Sequence, residues 1–299
     1  MESLGKILSQ VSQVTGPLEH FPILRKETRT CACGREFVAH IKVIDGKDVL
    51  DGFDTCFACR ATVREAKFRE ERLAKIPEAR ENQRWVWFDE CNLPPKFCDK
   101  TFENFERKLQ PGAFDVMLKY DYHFEVDPPC SLVLLSPDRY GVGKTHLAAA
   151  LLNRIIEMEE TVHVSKDGDF HNLPCPVYFT AENLLLSRIR QTYSRSNKYN
   201  DDECCEETEE DIYQKLEKYA LLIIDDVGKV RPRDYSFLQG VYFRVIDFRY
   251  THQHPIILTT NLSLAELENH IGGASSDRIR EMAGKDGFIV MKGQSFRKR

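Results

Sequence analysis

The sequence predicts an α/β protein built on a central parallel sheet flanked by helices, with a small N-terminal zinc-binding module ahead of it. Three observations carry this. From residue 131 onward short apolar runs alternate with helical patterns. Those runs are continuously apolar, as in strands covered on both faces. Two cysteine pairs, Cys31-x-Cys33 and Cys56-x-x-Cys59, stand apart from this pattern near the N-terminus.

At 299 residues the chain has room for one α/β domain plus a smaller module, divided here as 1–84 and 85–299. With 42% hydrophobic and 30% charged residues it is ordinary in composition, and no window approaches the roughly 18 consecutive apolar residues of a membrane span. The start, Met1 to Leu8, lacks the apolar stretch of a secretory signal, so the cytoplasm is the expected compartment. There ten cysteines read more readily as metal ligands and core thiols than as disulfides. The net charge is −5, but Asp201 to Asp211 holds eight acidic residues and no basic one, and without that run the remainder carries +3. Global charge therefore does not exclude a nucleic-acid partner.

In chain order, Leu4, Ile7, Leu8, Val11 and Val14 predict a short amphipathic helix within residues 1–20. Phe37, Val38, Ile41, Val43 and Ile44 suit strands, followed by a turn at Asp45-Gly46-Lys47. Residues 60–84 predict a charged connector helix, with eight basic residues against five glutamates. Five core strands are expected at Ser131–Leu135, Val177–Thr180, Leu221–Ile224, Pro255–Leu258 and Gly287–Met291. The intervening helices are expected at Thr145 to Glu160, through Leu184 to Ile189, Leu238 to Phe248 and Leu264 to Met282. The acidic run, 200–211, reads as a solvated loop.

The first core strand is followed by Tyr140-Gly141-Val142-Gly143-Lys144-Thr145-His146. A phosphate cradle needs glycines that let successive N–H groups face the phosphates, a lysine for the β and γ phosphates and a hydroxyl for Mg²⁺. Gly141, Val142, Gly143, Lys144, Thr145 and His146 form the candidate ATP-binding stretch, although Asp138 stands where the motif has its first glycine. About 80 residues on, Leu221 to Ile224 end in Asp225-Asp226. At the tip of a parallel strand Asp225 can hold Mg²⁺ together with Thr145, and Asp226 can polarise the attacking water. A third strand ends in Thr259-Thr260-Asn261, where Asn261 can sense the γ-phosphate.

With these elements in this order, the chain resembles the DnaC/IstB family of AAA+ ATPases, from about Pro95 to Arg297. The marks are Gly141 to Ala148, Leu221 to Gly228, Thr259 to Leu262, Asp277 to Met282 and Gly293 to Arg297. The resemblance implies an AAA+ P-loop fold in which Lys144 and Thr145 bind phosphate and Mg²⁺ and Asp226 activates water. It implies that Asn261 is sensor 1 and that Arg278, with Arg280 as second candidate, is an arginine finger acting on a neighbouring subunit. Hydrolysis would then need an ATP-dependent oligomer. It also suggests that Thr101 to Phe105 lies against adenine. A plainer reading of 277–280 is a surface helix paired with itself.

Two thiolate pairs separated by 22 residues suit tetrahedral closure, so Cys31, Cys33, Cys56 and Cys59 are the candidate Zn²⁺ ligands of a structural site, with His40 as a substitute. Arg188, Arg190, Arg195 and Lys198, with Tyr193 and Tyr199 among them, are candidates for DNA contact, beside the plainer reading of a solvated helix end. The resemblance implies a replicative helicase loader on single-stranded DNA or, as a second reading, a transposition regulator that assembles on duplex DNA and recruits a transposase; a third reading, of a different class, is a nucleotide-gated zinc adaptor with slight turnover.

Overall fold

The computed structural model describes residues 24–44, 47–51, 54–121, 131–137, 139–195, 207–232, 234–293 and 295–296. The chain forms two compact units, Met1–Lys75 with Lys166–Asp169, and Ile76–Ser165 with Phe170–Arg299. The expected connector is one helix, α1 (Phe57–Glu90), continuous through Pro77. Its Ile76, Gln83 and Trp87 are buried, which is why the compact division falls ahead of residue 84. The predicted helix within residues 1–20, the turn residues Asp45 and Gly46, and most of the acidic run lie outside the described residues.

In the first unit β1 (Leu24–Thr30), β2 (Glu36–Ile44) and β3 (Lys47–Asp51) form an antiparallel meander in which Thr30 pairs with Glu36 and Ile44 with Lys47. Ala39 and Ile41 point inward from β2 while Val38 and His40 are exposed, the period-2 pattern of a one-sided sheet. The β1–β2 turn, closed by Gly34 N–H on the Cys31 carbonyl, needs Gly34 at φ +83°. Arg69 donates to the Lys166 carbonyl and Arg72 pairs with Asp169 at 2.6 Å.

The second unit is a five-stranded parallel sheet in the order β10 (Phe288–Val290), β4 (Leu132–Leu135), β9 (Ile256–Thr260), β8 (Leu221–Val227), β7 (Val177–Ala181). All residues of β4 and β9 are buried, which is the physical reason their sequences lack alternation. A small hairpin, β5 (Val162–Val164) with β6 (Phe170–Asn172), carries no such signal and was not expected. Neither was α2 (Pro111–Lys119), which opens with Pro at its first position. Helices α3 (Lys144–Met158), α4 (Glu182–Arg195) and α6 (Tyr235–Thr251) stand where the periodicity places them.

Two expectations are corrected. The predicted single helix from 264 to 282 is two, α7 (Leu264–Ile271) and α8 (Gly273–Ala283), because Gly272 adopts φ +89° between them. The acidic run is not loop to its end. Thr208 and Asp211 form a capping box, and three acidic residues in the first turn of α5 (Glu209–Lys218) favour the helix N-terminus. Among the described residues no helix is long and apolar enough to cross a membrane.

One buried cation ties these layers together. Arg249 on α6 is 0% exposed and donates to the carbonyls of Leu216, Tyr219, Ala220 and Pro255 at 2.7–3.2 Å. Burial pushes its guanidinium down to about 9, still charged in neutral solution. Arg249→Leu would take the guanidinium donors from all four carbonyls, of which Pro255 keeps the Leu222 N–H at 3.3 Å, and is expected to cost about 3 kcal/mol in urea unfolding. Arg249→Lys, whose compact ammonium cannot span the same fan of acceptors, should recover only part of that. A loss below about 0.5 kcal/mol for the leucine variant would show that solvent replaces the guanidinium.

Candidate nucleotide site and cysteine cluster

The strand order puts β9 between β4 and β8, so the three motif-bearing strand tips stand side by side. In register, Leu135 pairs with Thr260 and Thr260 with Val227. Ligands of parallel α/β sheets sit in the crevice beyond such tips.

After β4 the chain passes the buried Ser136, whose hydroxyl donates to the Arg139 carbonyl at 2.7 Å. Asp138, the departure from the motif, lies outside the described residues. Gly141 and Gly143 take φ +75° and +102°, left-handed geometry that turns consecutive N–H groups to one side. Gly143 has a second reason to lack a side chain: a Cβ there would lie 2.7 Å from the Phe105 ring. Lys144 opens α3, so the cradle leads into a helix N-terminus, where partial positive charge favours phosphate. The Lys144 side chain is buried, with Nζ 2.5 Å from Ser136 Oγ and 2.6 Å from Asn261 Oδ1. Ser136 stands outside the phosphate-cradle motif, though a hydroxyl residue just after an apolar strand is a readable signal.

The acid pair is shaped by a β-bulge. Between Ile224↔Leu258 and Val227↔Thr260, β8 has Asp225 and Asp226 where β9 has Thr259 alone. In a regular strand neighbouring side chains point to opposite faces. Here Asp226 takes φ +55°, a conformation aspartate tolerates better than most residues, and its side chain lines the cleft. Thr259 clasps the bulge: its hydroxyl accepts the Asp226 N–H at 3.0 Å and donates to Asp225 Oδ1 at 2.5 Å. Asp225 also accepts from Thr145 Oγ1 at 2.9 and 3.1 Å. Burial pushes the Asp225 carboxyl up to about 6, against the opposing pull of the Thr259 hydroxyl; the Asp226 charge adds to the rise. Asp226 is more open and pairs with Lys229 Nζ at 3.4 Å. The hydroxyl of Thr145 against the Asp225 carboxylate is a hard-oxygen donor set that fits Mg²⁺.

The cleft measures about 840 Å³. Beyond the predicted Gly141 to His146, Asp226 and Asn261, its walls include Phe105, Arg231, His270 and Phe296. Of the Thr101 to Phe105 segment, Phe105 reaches the cleft, with ring centroids 5.1 Å from His146 and 5.8 Å from Phe296. Phe102 turns into the core edge-on to Phe114, and the Thr101 carbonyl lies 3.0 Å from His146 Nε2. Burial lowers the His146 pKa from its ordinary value.

Arg278 does not line this cleft. It pairs with Asp247 of α6 at 2.7 Å and lies over Phe243 and Tyr250 at 5.0 and 5.7 Å. Arg280 pairs with Glu268 at 2.6 Å and with Asp277 at 3.3 Å. Of the basic segment, Arg188 is engaged by Glu207 and donates to Tyr178 Oη at 2.9 Å, and Arg190 lies over Phe237 at 5.0 Å. The Arg195 side chain, Lys198 and Tyr199 lie outside the described residues.

In the first unit Cys31 and Cys33 sit on the β1–β2 turn, and Cys56 and Cys59 at the start of α1. The four Sγ atoms lie within 4.8 Å of one another, with Cys31 to Cys59 at 3.7 Å and Cys33 to Cys56 at 3.5 Å. Sulfurs about 2.3 Å from a tetrahedral Zn²⁺ are separated by about 3.8 Å, so the set fits that ion. Backbone N–H of Cys33, and then of Cys56, pulls the Cys31 thiol down to about 6, while the Cys33 thiol beside it pushes Cys59 up to about 12. His40 is exposed and outside the cluster. Cys91 and Cys175 are free and buried in the second unit.

No family model matches the chain. It is 22% identical over 232 residues to the replicative helicase loader DnaC of Escherichia coli K12, which spans 77% of this chain and 79% of that protein. Among solved structures it is similar to the crystal structure of the DnaC helicase loader, with 21% identity, a TM-score of 0.49 and coverage of 67% of this chain and 100% of that one. It is also similar to the crystal structure of DnaI, at 16% identity and a TM-score of 0.43, covering 68% and 94%. The sequence similarity to DnaC, joined to the motif order along a five-stranded parallel sheet, supports a DnaC/IstB-like AAA+ ATPase with a cysteine cluster that fits a zinc module.

Proposed function

We propose that this protein binds and hydrolyses ATP in the cleft at the strand tips and uses that cycle as a helicase-loader-like factor on DNA in the cytoplasm. The bulge at Asp225-Asp226 is the observation that carries the proposal. It leaves one carboxylate against Thr145 and aims the next into the cleft, beside the Lys144 to Asn261 contact. When bound through Thr145 and Asp225, Mg²⁺ would neutralise charge on the transferring phosphoryl group. Lys144 binds the β and γ phosphates, the left-handed Gly141 and Gly143 aim N–H groups at them, Asn261 reads the γ-phosphate, and Asp226 orients the attacking water. His146 supports the cradle from behind through Thr101.

The relative is by name a replicative helicase loader, which supports the same role here. In this reading the protein partner is a hexameric helicase and the substrate surface is single-stranded DNA. Residues 1–84 then hold the partner through the zinc module and 85–299 form the ATPase domain. Arg278 serves a neighbouring subunit in an ATP-dependent oligomer, exchanging Asp247 for the γ-phosphate. Arg188, Arg190, Arg195 and Lys198 contact phosphates once Glu207 is displaced.

Steady-state ATPase assays at fixed salt test this. Turnover is expected to rise at least about ten-fold with single-stranded DNA, the rate change that one added transition-state contact of about 1.4 kcal/mol supplies. Stimulation by duplex alone would replace the loader with the transposition regulator. Flat, negligible turnover of folded protein would leave a nucleotide-gated adaptor.

A further inference from the structure

Among the polar side chains buried in the second unit is one acidic residue that no motif picks out. Glu182, the first residue of α4, is 1% exposed. Its Oε2 accepts the backbone N–H of Gly228 at 3.0 Å and of Val230 at 3.2 Å. Its Oε1 accepts Tyr242 Oη–H at 2.7 Å and His270 Nε2–H at 2.6 Å. Four donors fill the acceptor sites of one carboxylate, and the helix N-terminus beneath it favours the charge.

The donors come from three places that matter to the cleft. Gly228 and Val230 belong to the loop directly beyond Asp226, Tyr242 to α6, and His270 to α7. The loop from Asp226 to Arg231, with Asn269 and His270, makes one wall of the cleft. Asp226 and Gly228 both take positive φ, and a Cβ on Gly228 would collide with the Leu262 side chain, so the loop has a demanding conformation to keep. Glu182 makes its hydrogen bonds to none of the Gly141 to Thr145 cradle and not to Asn261. A buried carboxylate is moreover a poor way to gain stability, because an apolar side chain of similar volume does as well or better once the donors are also removed. The charge therefore serves position.

We infer that Glu182 is a positioning residue for ATP hydrolysis: it clamps the loop that follows Asp226 and helix α7 into one wall, so that the water-activating carboxylate stays aimed while ATP binding is left to the cradle. The inference rests on the ATPase reading above. A shift of about 1 Å in a reacting group costs on the order of a hundred-fold in rate, whereas phosphate contacts made elsewhere keep their affinity.

The test measures ATP dissociation constants, single-turnover phosphate release and melting temperature for the full chain and for Glu182→Gln, His270→Leu and His270→Gln. In Glu182→Gln the carboxamide nitrogen faces donors. Single-turnover hydrolysis should fall about ten- to a hundred-fold with the ATP dissociation constant unchanged within about two-fold. His270→Leu should slow the reaction in the same way, and His270→Gln, whose amide nitrogen can stand near the lost Nε2–H, should regain most of the rate. If Glu182→Gln does not fold, the His270 pair decides alone. Wild-type hydrolysis rates in Glu182→Gln or His270→Leu, loss of ATP affinity in step with rate, or glutamine at 270 no better than leucine would each overturn the inference and leave the ATPase reading standing. A wild-type chain that binds ATP without hydrolysing it overturns both.

Discussion

Replacement of Lys144 by alanine is expected to abolish ATP turnover, by at least about a thousand-fold, while the protein stays folded. Among the cations that line the cleft Lys144 is the buried one, at 6% exposure, against the more open Lys229 and Arg231. Its ammonium stands between Ser136 Oγ and Asn261 Oδ1, so it is already oriented before phosphate arrives, and little reorganisation is needed when charge develops. Truncation leaves the fold little changed, because the Ser136 hydroxyl keeps the Arg139 carbonyl as acceptor and α3 still starts at the same place. Its melting temperature should therefore stay close to wild type. Nucleotide affinity, followed with a fluorescent ATP analogue, and phosphate release in a single turnover are the two readouts. Unchanged affinity together with unchanged turnover would sink the site assignment.

That prediction uses residues the sequence displays openly, and the contrast with Glu182 shows where legibility ends. Lys144 and Asp225 can be read because one follows, through a glycine-rich turn, and the other ends a strand run whose burial on both faces leaves it unbroken and apolar. The bulge cannot be read that way. It depends on β8 having two residues where β9 has one, a fact about pairing between segments about 30 residues apart. Thr259 clasps that bulge, yet on the page it is only one of two threonines ending a strand. Glu182 looks like an ordinary acidic helix start; its donors lie 46, 48, 60 and 88 residues away and converge only through the strand order. At the level of elements the same rule holds. The meander strand β1, Leu-Arg-Lys-Glu-Thr-Arg-Thr, is mostly exposed and has no apolar period to detect. The break between α7 and α8 comes from Gly272, whose left-handed φ a helical pattern can carry across without notice.

Removing zinc is expected to unfold the first unit and leave the nucleotide site intact. The reason is the size of its apolar interior. Among the described residues through Lys75, the buried hydrophobic side chains are Cys31, Ala39, Ile41 and Cys56, and half of these are thiols of the cluster. So little apolar burial cannot offset the backbone entropy of three ordered strands, and small domains in that position depend on a metal or another staple. The cluster is placed to act as that staple, since it joins the β1–β2 turn to the first turn of α1 and so closes the meander against the helix. Structural Zn²⁺ sites contribute about 10 kcal/mol or more to folding at neutral pH, beyond what this interior can replace. Purified protein should carry one zinc per chain by metal analysis. With a chelator, or with Cys56→Ser, amide hydrogen-exchange protection of β1 to β3 should be lost, while ATP affinity stays within about two-fold of wild type because Lys144, Thr145 and Asp225 belong to the other compact unit. Protein that holds no metal, or whose meander stays protected after Cys56→Ser, would show that the thiols are a packing cluster and that the apolar pair Ala39 and Ile41 suffices.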